Sequence, residues 1–106
     1  MNELYITETA KKDIKEALNY IKNTLFNPLA ATNLANEITD QISMLKTNPK
    51  SGPLDSDIFL SDAGIRFLLI KNYKVFYKLE ETKNITRIFI IRFLHSKQEY
   101  KRILNE

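Results

Sequence analysis

The hydrophobic period of this chain changes in kind across residues 48–57, and that change limits what it can fold into. Before it, Ala10, Ile14, Ala17, Leu18, Ile21 and Leu25 recur at helical spacing and predict an amphipathic helix over roughly residues 8–25. Leu34, Ile38, Ile42 and Leu45 line a second helix. Asn27 is its candidate N-cap, and Pro28 takes its first position, where a missing N–H costs nothing. Pro49 ends it near Asn48, because the residue before a proline is pushed out of the helical region. The segment NPKSGPLDSD has no apolar period and reads as a loop. Beyond it, segments 64–71, 73–80 and 85–94 are rich in aromatic and β-branched residues and read as strands. Residues 81–84 make a four-residue hairpin loop between the last two.

Two shorter elements complete the order. Leu4 to Thr7 is a first strand with Leu4 and Ile6 on one face. Ser96 and Glu99 have the spacing of a capping box before a closing helix with Tyr100, Ile103 and Leu104. The order β-α-α-β-β-β-α predicts an α+β fold, a helical hairpin packed on one face of a small, mainly antiparallel sheet. Strand alternation places Lys74, Phe76 and Lys78 opposite Tyr73, Val75, Tyr77 and Leu79. It likewise groups Ile88, Ile90, Arg92 and Leu94 against Arg87, Phe89, Ile91 and Phe93. From alternation alone, either face can lie under the helices.

At 106 residues the chain has room for one domain, spanning residues 1–106, with a modest core. It has no cysteine, which removes disulfides and thiolate chemistry and fits a reducing cytoplasm. Two glycines cannot build a phosphate-cradling loop, and His95 alone cannot make a zinc site, so neither metal nor cofactor is expected. The opening MNELYITETAKKD carries charge where a signal peptide needs an apolar stretch, and no apolar run is long enough to span a membrane.

The net charge of +3 is unevenly distributed. Residues 1–56 carry −1, whereas residues 63–102 carry +7. Such a segment attracts polyanions or an acidic partner. Lysines on exposed strands also keep sheet edges soluble. Here, however, Tyr73, Tyr77, His95 and Tyr100 are interleaved with the bases.

The element order, the helix TETAKKDIKEALNYI, Gly64-Ile65-Arg66, the strand Asn72 to Tyr77 and the ending Ile90 to Tyr100 together resemble the RelE/ParE superfamily of bacterial type II toxins. The resemblance covers nearly the whole chain. It implies a small antitoxin, acidic where it binds, that wraps the toxin in a hetero-oligomer. It also implies one of two activities. RelE-like members cut messenger RNA on the ribosome, and this is the leading expectation here; ParE-like members bind and poison DNA gyrase. A blander alternative is a non-toxic basic RNA- or protein-binding domain.

Metal-free RNA cleavage needs a base for the 2′-OH, cations for the phosphorane and an acid for the leaving oxygen. Arg92, His95, Tyr100 and Arg66 are the candidate catalytic residues, with Lys71, Lys74 and Lys97 as phosphate or RNA contacts. Lys74 stands where the resemblance implies an arginine, and lysine keeps that charge without the bidentate fork. Each candidate also has a structural reading. His95 can hydrogen-bond backbone at a strand end, Tyr100 can pack its ring under the last helix, and Tyr73 and Tyr77 read as core. Arg92, set among apolar residues, needs a partner, for which Glu80 or a backbone carbonyl are the candidates.

Overall fold

The computed structural model describes residues 1–98 and 100–104, with Lys101 described in its backbone only. The sheet has four strands in the order β1 (Asn2–Ile6), β4 (Thr86–His95), β3 (Tyr73–Glu81) and β2 (Arg66–Ile70). β1 runs parallel to β4, and the other pairings are antiparallel. The mixed, mainly antiparallel sheet and its helical hairpin agree with the sequence expectation.

Helix α1 (Glu8–Asn19) starts at Thr7, whose hydroxyl accepts the Ala10 N–H at 3.2 Å. It continues into a π-helical turn, Tyr20–Thr24, closed by the Leu25 N–H on the Tyr20 carbonyl. The wider turn changes the phase of the helical face. Ile21 stays against the core while Leu25, expected beside it, is 54% exposed. Asn27 caps α2 (Pro28–Thr47) through a 3.1 Å bond from the Ala30 N–H, as its sequence predicts. Ala31, Leu34, Ile38, Ile42 and Leu45 form its buried face.

The helices cover the sheet face that carries Val75, Tyr77, Ile88, Ile90 and Phe93. Phe93 on this face corrects the simple alternation. The pairing slips between Phe76 and Tyr77, which face Arg92 and Ile90, so Ile91 is an extra residue in β4. This bulge turns Phe93 into the helix-side core and sends Leu94 to the other face, where Ile91 already lies.

That second face is covered in part by a smaller cluster of Leu60, Ile65, Phe76 and Leu94, with Phe67 and Tyr100 against it. Leu60 comes from α3 (Ile58–Asp62), a short helix for which the apolar period gives no sign. Its signal is Asp57, whose carboxylate accepts the N–H groups of Phe59 and Leu60. Tyr100, Ile103 and Leu104 come from α4 (Tyr100–Leu104).

Of the expected capping box, Ser96 is described and Glu99 lies outside the described residues. Residues 96–98 form a turn before α4, with a reciprocal pair of bonds. Lys97 N–H donates to His95 Nδ1 at 3.1 Å, and His95 N–H donates to Gln98 Oε1 at 2.7 Å. These bonds close the turn that follows β4 and involve no N–H of α4.

Candidate functional site

Arg92 does not pair with Glu80. Its guanidinium makes a two-pronged contact with Asp13 of α1, Nε to Oδ2 at 2.7 Å and Nη2 to Oδ1 at 3.1 Å. The same Oδ2 accepts the Phe93 N–H at 3.0 Å. Asp13 therefore ties α1 to the backbone just after the bulge, and charge-assisted bonds of this fork geometry are the strong kind. Glu80 instead meets Arg87, its register partner across β3 and β4, at 3.1 Å. Arg87 also reaches Glu3 at 3.2 Å. Its ionisation is pushed further up, first by Glu80 and then by hydrogen bonding to Tyr5.

His95 closes the other end of the same region. Because Nδ1 accepts the Lys97 N–H, the neutral ring carries its proton on Nε2 and keeps no free basic nitrogen. The ring stands edge-on to Tyr73, which itself stacks on Phe93 with centroids 4.7 Å apart. Burial, and then the neighbouring Tyr20, push the Tyr73 phenol above its ordinary value. Arg92 and His95 line a cavity of about 600 Å³ with Asp13, Glu16, Tyr20 and Tyr73. A second cavity of about 360 Å³ shares Tyr20, Tyr73 and His95 and runs on toward Leu25, Ala30 and Lys71.

Lys74 and Tyr100 lie elsewhere, on the face that holds Phe76. Lys74 Nζ is sandwiched between the rings of Phe67 and Tyr100, 4.5 and 4.4 Å from their centroids. It donates to the Tyr100 hydroxyl at 3.2 Å. This is a cation–π clamp that seats α4 on the sheet.

Arg66 is in a third place. Its Nη1 donates to the Gly52 carbonyl at 2.8 Å, beside Tyr77. The Tyr77 hydroxyl accepts the Gly52 N–H and donates to the Pro49 carbonyl, both at 2.9 Å. Burial is the main cause that raises the Tyr77 phenol, while the Gly52 backbone and Arg66 oppose it. Tyr77 is core, as expected, and the pin it forms explains Gly52. A Cβ there would sit 2.3 Å from the Phe67 carbonyl oxygen and 2.7 Å from the Tyr77 hydroxyl. Lys71 faces Glu37 of α2 at 3.6 Å, and Lys97 lies in the exposed turn before α4.

The candidates are thus distributed over separate places. Arg92 and His95 share one cavity, Lys74 and Tyr100 share the opposite sheet face, and Arg66 braces a loop. The residues that sequence reasoning missed are Asp13 and Phe26. Asp13 was legible only as an acid beside Ile14 on the apolar side of an amphipathic helix. Phe26 gave no sign, since its backbone conformation is set by the end of the π turn.

The site thus sits on a helical hairpin over a four-stranded mixed sheet, with a C-terminal helix clamped on the far side. The chain matches the family described as "ParE toxin of type II toxin-antitoxin system, parDE" over residues 4–100, and it belongs to that family. Among solved structures it is similar to the "Chromosomal ParDE TA system from P. aeruginosa", with a TM-score of 0.71 at 19% identity. That match covers 92% of this chain and 98% of the other. It is also similar to the "YoeB/ParE toxin from Agrobacterium tumefaciens", with a TM-score of 0.59 at 18% identity over 88% of this chain and 97% of that one. No curated protein matches the chain. No helix among the described residues is long and apolar enough to cross a membrane.

Proposed function

We propose that this toxin acts in the cytoplasm by binding DNA gyrase, and that its antitoxin silences it by wrapping the same chain. The observation that carries this reading is the separation of the would-be catalytic groups. Phosphoryl chemistry needs cation, base and acid around one phosphate, within hydrogen-bond reach of the reacting atoms. Here the Arg92 fork is occupied by Asp13, the Arg66 guanidinium by a carbonyl, and His95 Nδ1 by a backbone N–H. Protein binding asks for none of these groups in concert. One contact favours messenger RNA cleavage on the ribosome instead, the pairing of Lys74 with Tyr100.

The two readings separate in one experiment. Purified toxin is added to a gyrase supercoiling reaction and, in parallel, to a cell-free translation reaction whose messenger RNA ends are mapped. Loss of supercoiling with intact messenger RNA supports the proposal. New ends inside codons that require ribosomes, and that vanish in Lys74→Met or Tyr100→Phe, overturn it.

A further inference from the structure

The tip of the α1–α2 hairpin carries an exposed side chain the fold does not need. Among the described residues, Phe26 and Lys71 are the non-glycine residues with positive φ, both at 52°. They flank the same cavity, for Lys71 lines it together with Leu25 and Asn27, the two neighbours of Phe26. A bulky side chain in the left-handed region is disfavoured, and glycine is the usual residue at this position after a helix. The Asn27 N–H, bonded to the Ile21 carbonyl at 3.0 Å, holds this turn, but the Phe26 ring takes no part in it and is 85% exposed. Tyr20, Leu25 and Leu29 are exposed beside it. A bulky ring kept exposed where glycine would relieve the backbone is a mark of function.

Charge points to what covers this tip. From Ala17 to Asn36 the chain carries one charged side chain, Lys22. The titratable lining of the cavity is Lys71, His95, Tyr20 and Tyr73, with no carboxylate. Lys71 meets Glu37 at 3.6 Å, but both are exposed, and such a pair exchanges partners at little cost. Ile21, Ala30 and Leu34 add an apolar part to the same lining.

We propose that this tip is the element that grips the target protein. Phe26 enters an apolar pocket of the target. The cavity beside it receives an apolar side chain of the target that is flanked by carboxylates, which meet Lys71 and the His95 ring N–H, while Lys22 adds to the positive field of the tip. This assignment rests on the protein-binding reading above and locates its contact surface.

Glycine at position 26 makes the test sharp, because it relieves the backbone while deleting the anchor. Phe26→Gly should raise Tm, leave antitoxin affinity unchanged, and weaken both supercoiling inhibition and growth arrest by about tenfold or more, the loss typical of an aromatic anchor. Lys22→Glu should weaken inhibition more at low salt than at high salt. A Phe26→Gly chain as potent as the original overturns the proposal. So does a parallel loss of antitoxin binding, which would make the tip the antitoxin's seat. A wild-type dimer that Phe26→Gly dissociates would assign the tip to a second copy and overturn it as well. If the wild-type chain leaves supercoiling untouched, the gyrase reading fails. The tip is still judged by growth arrest, which Phe26→Gly must weaken.

Discussion

The Asp13–Arg92 pair offers the most direct separation of structure from chemistry at the residue the sequence favoured for catalysis. Asp13→Asn keeps an oxygen for the Phe93 N–H but removes the charge that the Arg92 fork holds at 2.7 and 3.1 Å. Breaking a fully buried ion pair costs about 3–5 kcal/mol, and a hydrogen bond to a charged group contributes about 1.5–3 kcal/mol. The side chain of Asp13 is 11% exposed and that of Arg92 27%, so water relieves part of the loss. We expect about 2 kcal/mol for Asp13→Asn. Arg92→Met should cost somewhat more, about 2–3 kcal/mol, because it leaves the carboxylate with one N–H. The pair Asp13→Asn/Arg92→Met removes both charges and fills the space of the arginine stem, so it should recover about 2 kcal/mol of coupling. Urea unfolding of the four chains measures that coupling, and Tm should fall by at least about 4 °C per kcal/mol in a domain of this size. A coupling below about 0.5 kcal/mol would refute the clamp and leave the guanidinium available for phosphate. The double variant should also arrest growth, which a catalytic Arg92 would forbid.

Other outcomes follow from the same geometry. Tyr77→Phe should cost about 1–3 kcal/mol by leaving the Gly52 N–H without a partner, as urea unfolding at neutral pH would measure. Tyr77 and Tyr73 are both raised above the ordinary tyrosine value of 10.0, so their contribution is complete below that pH and is lost as pH climbs through the folded values. The fall of stability above that value should therefore be shallower in Tyr77→Phe, and equal steepness in both chains would contradict this. Gly52→Ala should destabilise by about 1–3 kcal/mol, since its Cβ would meet backbone rather than a yielding side chain. Lys74→Gln should loosen α4 by about 1 kcal/mol, read as faster hydrogen exchange at Ile103 and Leu104 with β3 unchanged.

The fold was legible where local rules decide. Apolar spacing gave both long helices, Asn27-Pro28 gave the start of α2, and β-branched runs gave the strands. What escaped was set by register or by partners far along the chain. Ile90-Ile91 breaks the alternation of β4, but nothing local says which isoleucine is the extra one, and the answer moves Phe93 and Leu94 to opposite faces. Arg92 finds Asp13 across 79 positions of sequence, a distance at which neither spacing nor composition carries a signal. Glu80 looked available to Arg92 only until the register gave it Arg87. The π turn hid Leu25 and Phe26, because a widened turn shifts the helical face without changing the residues on it. The candidate site was legible as a list of chemical types in a basic segment. Its division among a cavity, the opposite sheet face and a braced loop was not, because that division depends on the bulge and on the packing of α4.

On the proposed reading this toxin disables a protein by binding it. The most direct measurement is supercoiling of relaxed plasmid by purified gyrase, titrated with the chain and then with its antitoxin. Supercoiling should be lost as the toxin approaches the concentration of gyrase and return when the antitoxin is added. Full supercoiling at large molar excess of a chain that still arrests growth would contradict it.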